Sequence, residues 1–264
     1  MQTHAFQISL EQAWAYEERF VPSLSGRWTE PLMQAATIEE GDSVLDVACG
    51  TGVVARAAAA RAGPGGLVTG VDLNPAMLEV ARRVAPQLTW RQADAASLPF
   101  PDDCFDVVTC QAAVFFFPDL TAALREMGRV TRAQGRVVVH SFASLSEQPA
   151  YGPWVERVAA HAGPDAVRML GTYWSQGDSL AMRQRCAESG LRVEGVYEHT
   201  RPASFPSVET MVLTEVRATP LGDLLAPETV DRIVAESHEV LGGFVSDGQL
   251  VLPIKGYIVV ARPA

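Results

Sequence analysis

Short apolar runs alternate along residues 43–142 with longer stretches in which apolar positions recur every three or four residues. The short runs predict buried strands, and the periodic stretches predict amphipathic helices. This alternation is typical of a doubly wound parallel sheet with helices on both faces. The predicted elements are strands at 43–48, 67–72, 88–93, 105–110 and 135–142 and helices at 53–62, 75–85 and 119–130.

Proline and glycine mark three of the predicted boundaries. Pro75 and Pro118 stand where helices are expected to begin, because proline is tolerated in a first helical turn. Gly135 is predicted to end one helix and to open the next strand.

The clean alternation stops after residue 142. The predicted elements there are helices at 150–170, 179–190 and within 207–243, and strands at 191–200 and 249–263. Because no repeat or linker separates them, we predict one α/β domain with a seven-stranded, mostly parallel, Rossmann-like sheet. Its predicted parts are an N-terminal helical lid (1–40), a core (41–142), helical lid insertions (143–177 and 203–247) and a final strand (248–264). Insertions after strands five and six leave the sheet at its carboxyl edge, where open α/β sheets bind ligands.

Composition narrows the choice of partners. The 264 residues are 48% hydrophobic, enough for a large core, and the formal net charge of −10 disfavours nucleic acid and anionic membranes as partners. The four cysteines lack CxxC spacing, which indicates neither a zinc site nor a disulfide framework. No secretory leader or spanning apolar stretch is recognisable. We therefore expect a cytoplasmic protein, not inserted in a membrane, as a monomer or homodimer.

A glycine turn follows the first predicted strand. Gly50 and Gly52 allow a close backbone approach to a ligand, and "GTGVVA" also satisfies the dinucleotide fingerprint, with Asp72 about twenty residues on. Asp46, inside the strand, would repel a pyrophosphate but suits a ligand that carries ammonium and sulfonium charges. Asp94 ends the third strand and, with the Ala95 backbone N–H, matches the edge of an adenine ring.

Four ordered motifs carry a resemblance to a known family: "VLDVACGTG", "GVDLNPAMLEVAR", "ADAASLPFPDDCFDVV" and "ALREMGRVTRAQGRVVV". Together they resemble the class I S-adenosylmethionine-dependent methyltransferases, in the small-molecule branch typified by ubiquinone and menaquinone biosynthesis, over roughly residues 40–142. The resemblance implies S-adenosylmethionine as cofactor, with S-adenosylhomocysteine as product. It implies the following roles: Asp46, Ala48, Cys49, Gly50 and Gly52 at the methionine end, Asp72 on both ribose hydroxyls, Leu73 and Met77 on the adenine face, Asp94 and Ala95 on its edge, and the Gln111 carbonyl near the ammonium.

Several of these residues have structural alternatives. Leu73 and Met77 have helical spacing and could belong to the core, and Asp94 could cap a helix. The turn and Asp72 leave open a nicotinamide-dependent oxidoreductase. The same fold also hosts cyclases and proteins that retain the nucleoside without methylating.

Methyl transfer from a sulfonium depends mainly on positioning, which is worth about 7 to 11 kcal/mol. A base is needed only if the acceptor must lose a proton, and His140, at the end of the fifth strand, is our candidate. His199, expected to close strand six, is the second. The alternative is that His140 is a structural histidine satisfied by hydrogen bonding.

The acceptor is predicted to be a partly apolar small molecule. Expected pocket residues are Phe115 and Phe116 of "VFFFP" after strand four, with Tyr16, Trp28, Tyr173 and Trp174 from the lid. Three consecutive aromatics on a turn cannot all face one way, so one is expected in the core. "QAAV" after strand four differs from the signature of amino-methyltransferases, and the aspartates of a catechol-type magnesium site are missing. We expect no metal.

Overall fold

The computed structural model describes residues 8–163, 168, 170–217 and 225–264, except for the side chain of Arg217. Its helices and strands follow the predicted order. The helices are α1 (Leu10–Ala15), a π-helical segment (Tyr16–Ser25), α2 (Gly26–Ala36), α3 (Val53–Ala62), α4 (Pro75–Val84), α5 (Leu120–Val130), α6 (Tyr151–Ala162), α7 (Ser179–Glu188), α8 (Val208–Arg217) and α9 (Pro227–Leu241). The strands are β1 (Ser43–Val47), β2 (Leu67–Asp72), β3 (Thr89–Gln92), β4 (Phe105–Gln111), β5 (Thr131–Phe142), β6 (Leu191–Phe205), β7 (Val245–Ser246) and β8 (Gln249–Pro263).

The strands form one sheet in the order β3-β2-β1-β4-β5-β8-β6, and the two-residue β7 pairs with β8. The pairs among β1 to β5 are all parallel, whereas β7 and β8 are antiparallel. The predicted α/β class and seven-stranded, mostly parallel sheet are therefore confirmed, with the short β7 in addition. The order reverses between β1 and β4, and a crevice for ligands forms at the carboxyl ends of parallel strands at such a point.

The predicted role of Gly135 is wrong. Helix α5 ends at Val130, and the extended backbone of Thr131 begins β5 at once. The Thr131 hydroxyl donates to the Met127 carbonyl at 2.6 Å, which satisfies a carbonyl group at the end of the helix. Thr131 pairs with Phe105 and Arg136 with Val107, so Gly135 lies in a bulge inside the strand rather than at its start.

Other boundaries also differ from the predictions. Strand β6 continues to Phe205 instead of ending at residue 200. The predicted stretch 207–243 contains two helices, α8 and α9, and residues 218–224 between them lie outside the described residues. Helix α6 covers the first part of 150–170, and 164–167 and 169 also lie outside the described residues.

The chain divides into two compact units. The first contains the described residues of Met1–Ser141, with Asp178–Glu198 and Tyr257–Ala264. Small alanines of α3, including Ala55, Ala58 and Ala62, are buried in its core against the sheet. Asn74 caps α4 by accepting from the Ala76 N–H at 2.9 Å, and Pro75 follows at the first helical position, as predicted.

The second unit contains the described residues of Phe142–Gly177 and His199–Gly256, and its core is aromatic. The ring of Tyr151 lies 5.7 Å from that of Trp154 and 5.1 Å from that of Trp174, between centroids. The Tyr151 hydroxyl donates to the buried Glu215 carboxylate at 2.9 Å. Both predicted insertions fall largely within this unit, and their role as a lid stays a prediction.

Candidate functional site

The turn after β1 is held in an unusual backbone conformation. Ala48, Gly50 and Gly52 all have positive φ, at 53°, 54° and 88°. The Cys49 N–H donates to the Val71 carbonyl of β2 at 2.9 Å and so anchors the turn to the sheet. The Gly52 N–H donates to the Cys49 carbonyl at 2.9 Å, so the turn is closed by its own backbone and leads directly into the N-terminus of α3, the end of a helix that favours anionic groups of a ligand.

Gly50 and Gly52 lack a side chain for different reasons, as shown by what a Cβ atom would meet at each position. A Cβ on Gly52 would lie 2.3 Å from Cη2 of Trp90, so the β3 indole occupies that space. A Cβ on Gly50 would meet only Tyr16 and Met77, no closer than 3.8 Å. Gly50 therefore fits the predicted close approach to a ligand, whereas Gly52 makes room for Trp90. The same indole lies 2.4 Å from where a Cβ on Gly70 would be.

Asp72 ends β2 beside the turn and is partly exposed. Its Oδ2 accepts from the Gly50 N–H and its Oδ1 from the Asn74 N–H, both at 2.8 Å. Burial raises the pKa of this carboxyl, against the opposing effect of these N–H donors. A carboxylate has about four acceptor sites, so it can also bind a vicinal diol. Asp72 thus stabilises the turn, which its sequence position alone did not reveal, and its contact with a ribose stays a prediction.

Asp46 is buried in β1, where its carboxylate joins three elements. Oδ2 accepts from the Ala55 N–H in the first turn of α3 at 3.1 Å, and Oδ1 accepts from the Thr109 hydroxyl of β4 at 3.0 Å. Burial is the main cause that raises its pKa to about 7, and the nearby charge of Asp72 adds to the effect. A cation bound at the turn would favour the ionised form of this residue.

The residues predicted to contact adenine lie directly after β2, in the first turn of α4 and shortly after β3. Leu73 is 42% exposed and Met77 is partly exposed, so neither is an ordinary core residue. Asp94 is exposed, and its Oδ1 accepts from the Ala96 N–H at 2.9 Å. It therefore caps its own turn instead of a helix, and the adjoining Ala95 is buried. Leu73 and Asp94 are thus both exposed to a ligand, and the adenine contacts that the resemblance implies stay a prediction.

Gln111 closes β4 and reaches the N-terminal segment. Its Nε2 donates to the Ser25 carbonyl at 2.9 Å. Its buried Oε1 has no hydrogen-bond partner among the described residues. The side-chain amide therefore offers an acceptor at this position, in addition to the backbone carbonyl implied by the resemblance.

The structure places His140 in the interior. The imidazole has no solvent-accessible surface, and its ring stacks on the fully buried Trp28 with centroids 4.2 Å apart. A general base must reach the proton that it removes, so this burial favours a structural role for His140, and the hydrogen bonding expected of its ring stays a prediction. Trp28, expected to line an acceptor pocket, is likewise a core residue here. His199 lies within β6 and does not close it, and burial lowers its pKa.

The other aromatics predicted to line the acceptor pocket differ in how far they are exposed. Residues 114–116 form a 3-10 helix in which Phe115 is buried and Phe116 is 39% exposed. One aromatic of this run therefore lies in the core, as expected, and the part that Phe115 and Phe116 would take in an acceptor pocket stays a prediction. Trp174 belongs to the aromatic core of the second unit, and Tyr173 beside it is partly exposed. Tyr16 opens the π-helical segment, with its Cε1 atom 3.8 Å from the position of a Cβ on Gly50.

Sequence reasoning missed the contact between the N-terminal segment and the turn. Glu17 forms an ion pair with Arg56 of α3 at 2.8 Å and accepts from the hydroxyl of the fully buried Thr51. No motif marks Glu17, since it belongs to a polar run typical of an exposed helix face. Among the described residues, no group of three or more His, Cys, Asp or Glu side chains is placed to hold a metal ion. Within the same ranges, no helix has the length and apolar character needed to cross a membrane.

A sheet of this order, with a left-handed glycine turn after its first strand and an acid at the end of the second, is typical of α/β domains that bind nucleosides. A family profile for the methyltransferase domain matches residues 45–139. Together with the relatives described below, this match supports a class I S-adenosylmethionine-dependent methyltransferase domain in this part of the chain.

Curated relatives include the ubiquinone/menaquinone biosynthesis C-methyltransferase UbiE of Burkholderia mallei, 35% identical over 164 residues. This match covers 59% of the chain and 66% of the relative, slightly less than two thirds of its length. The YcgJ protein of Bacillus subtilis superposes with a TM-score of 0.61 at 20% identity, covering 89% of this chain and 98% of that one. The [4+2]-cyclase SpnF superposes with a TM-score of 0.56 at 18% identity, covering 89% and 80%. These structural likenesses show the fold alone.

Proposed function

We propose that this protein transfers the methyl group of S-adenosylmethionine to a partly apolar small molecule. The cofactor supplies an electrophilic methyl group on a sulfonium. In this proposal the turn from Ala48 to Gly52 binds the amino-acid end, Asp72 binds the ribose diol, and Leu73 with Met77 covers the adenine. No metal takes part.

The observation that carries the proposal is the acidic character of the turn. Burial raises the pKa of both Asp46 and Asp72, and the charge of Asp72 raises the pKa of Asp46 further. The nearby Arg56 is ion-paired with Glu17 at 2.8 Å, so its charge is already compensated. An anionic pyrophosphate is poorly matched to these two acids, whereas ammonium and sulfonium groups complement them. This favours S-adenosylmethionine over a nicotinamide dinucleotide.

The accepting atom is proposed by analogy with the relatives. UbiE of Burkholderia mallei is named as a C-methyltransferase of ubiquinone and menaquinone biosynthesis. A reduced quinone ring is electron-rich at carbon and is therefore a suitable nucleophile for a sulfonium methyl group. We place a carbon of a hydroquinone-like ring first, with oxygen and nitrogen acceptors of similar molecules next.

Calorimetry tests the cofactor. S-Adenosylhomocysteine is expected to bind with a 1:1 stoichiometry, and NAD(H) and NADP(H) are expected not to bind. Saturable binding of a dinucleotide, with none for the thioether nucleoside, would establish the oxidoreductase alternative.

Turnover tests the reaction. Labelled S-adenosylmethionine and 1,4-naphthalenediol are expected to give a methylated ring product, with undiminished rate in EDTA. A wider panel of phenols and amines covers the other acceptor atoms. Cofactor binding without label transfer to any of them would support the alternative in which the nucleoside is only retained.

A further inference from the structure

We propose that Glu17 is a positioning residue for the cofactor. Through Thr51 and Arg56 it holds the N-terminal helical segment on the glycine turn, so that Tyr16 covers the amino-acid end of the ligand. This inference rests on the proposed function, because it assumes that the turn binds S-adenosylmethionine. It adds a determinant of cofactor affinity outside the family motifs.

Three side chains form a closed set of contacts. Glu17 pairs with Arg56 Nη2 at 2.8 Å and accepts from the Thr51 hydroxyl, while Arg56 Nη1 donates to the Thr51 backbone carbonyl at 2.8 Å. Thr51 lies between the two glycines and is fully buried. The contacts therefore join the N-terminal segment directly to the turn rather than to the outer surface of a helix.

These contacts are more protected than an ordinary surface ion pair. The side chains of Arg56 and Glu17 are 26% and 15% exposed. Ion pairs on open surfaces contribute little because water screens them, whereas charged groups that also share hydrogen bonds contribute more. The position of Glu17 on the turn is therefore well defined.

Tyr16 is the neighbour that this anchor places over the site. Its ring lies 3.8 Å from where a Cβ on Gly50 would be, so it contacts the open side of the turn. Burial raises the pKa of its phenol, a hydrogen bond with the Ser25 side chain opposes this effect, and the charges of Asp72, Glu17 and Asp46 add to it. A hydroxyl there can accept from an ammonium group of the ligand.

The segment that carries Tyr16 depends on anchors at both ends. Residues 16–25 are π-helical and contain Pro22, which has no N–H to donate. Such π-helical geometry is rare and is frequently found at functional sites. Glu17 fixes the start of the segment, and the bond from Gln111 to the Ser25 carbonyl fixes its end at 2.9 Å. Loss of either anchor is expected to release Tyr16 from the turn.

The test compares Glu17→Gln with Glu18→Gln, a matched change at the adjacent, exposed glutamate. Calorimetry is expected to show S-adenosylhomocysteine binding about tenfold weaker in the first variant and unchanged in the second. Arg56→Met should weaken binding similarly, and the double variant Glu17→Gln/Arg56→Met should be no weaker than either single variant. With saturating ligand, hydrogen exchange over 10–25 should rise in Glu17→Gln but not in Glu18→Gln.

The outcomes separate the two proposals. If the unaltered protein does not bind S-adenosylhomocysteine, the proposed function fails. If it binds and Glu17→Gln binds equally well with unchanged exchange over 10–25, the role of Glu17 is refuted. Should Glu17→Gln not fold, Thr51→Val replaces it, because this change removes only the hydroxyl that donates to Glu17. About threefold weaker binding is expected for Thr51→Val, and equal binding would overturn the inference.

Discussion

Replacing Asp72 by asparagine is the sharpest single test of the cofactor site. The carboxylate accepts from the N–H groups of Gly50 and Asn74 at 2.8 Å each, which fixes its two oxygens at the end of β2. In the proposed complex the same oxygens accept from both ribose hydroxyls. Asparagine keeps the shape but loses the charge and one acceptor, so one ribose hydroxyl faces an N–H donor.

The expected loss follows from hydrogen bonds to charged groups, which are worth about 1.5 to 3 kcal/mol each. Weakening two of these hydrogen bonds makes the binding free energy less favourable by about 3 kcal/mol, which raises the dissociation constant roughly a hundredfold. Calorimetric titration with S-adenosylhomocysteine measures this directly. The same substitution should weaken binding of the 2′-deoxy analogue less than binding of the parent ligand, because the analogue has one hydroxyl fewer to bond to position 72.

Asp106→Asn supplies the control. Asp106 accepts from the Ser43 N–H at 2.9 Å and pairs with Arg132 at the amino end of β1, so the same chemical change occurs away from the turn. Both variants should lose folding stability, but only Asp72→Asn should lose affinity. If Asp72→Asn binds as tightly as the unaltered protein, or if Asp106→Asn weakens binding equally, the assignment of Asp72 to the ribose is refuted.

Four further outcomes are expected. Because the pKa of Asp46 is raised to about 7, affinity for S-adenosylhomocysteine should rise severalfold between about pH 6 and 8, and Asp46→Asn should remove this dependence. Burial raises the pKa of Glu215 to about 7 from 4.5, so its folded form favours the proton and stability falls as pH rises through this range. Relative to the unaltered protein, Glu215→Gln should therefore gain up to about 3 kcal/mol between pH 5 and 8 in urea denaturation. Gly52→Ala should lose about 2 to 5 kcal/mol of stability through its left-handed backbone and its clash with Trp90. His140→Ala should lose about 3 kcal/mol, because it removes a buried ring, with affinity for S-adenosylhomocysteine unchanged.

Each of these has its own contrary result. A flat pH profile for the unaltered protein would contradict the charge assigned to Asp46. Parallel pH curves for Glu215→Gln and the unaltered protein would show that Glu215 titrates normally. Adding Trp90→Leu to Gly52→Ala should recover part of the lost stability, and no recovery would contradict the packing explanation. A His140→Ala variant of unchanged stability would place that ring outside the core.

The sequence predicted most of the sheet, because apolar runs of strand length and helical periodicity are local properties of the chain. Strand β2 and helix α3 have the predicted bounds. The prediction for the boundary at Gly135 was wrong, because helix α5 ends where the hydroxyl of Thr131 bonds back to it and β5 starts immediately. Where a helix ends and a strand begins depends on pairing with a distant strand, and the position of a glycine in the sequence does not reveal that pairing.

The sequence predicted those residues of the candidate site that belong to short motifs, and it missed the contacts between distant parts of the chain. Asp46, Gly50 and Asp72 were found because short motifs fix their spacing. The burial of His140 against Trp28 was not, since position at a strand's end does not tell which side chains later cover it. Glu17 was missed for the related reason that its partners, Thr51 and Arg56, are more than thirty residues away along the chain.

The indole of Trp90 occupies the space that side chains at positions 52 and 70 would need. These three positions therefore cannot vary independently during evolution. A descendant that keeps tryptophan at 90 is confined to glycine at both others, whereas a smaller residue at 90 would have to come first before either glycine could be replaced.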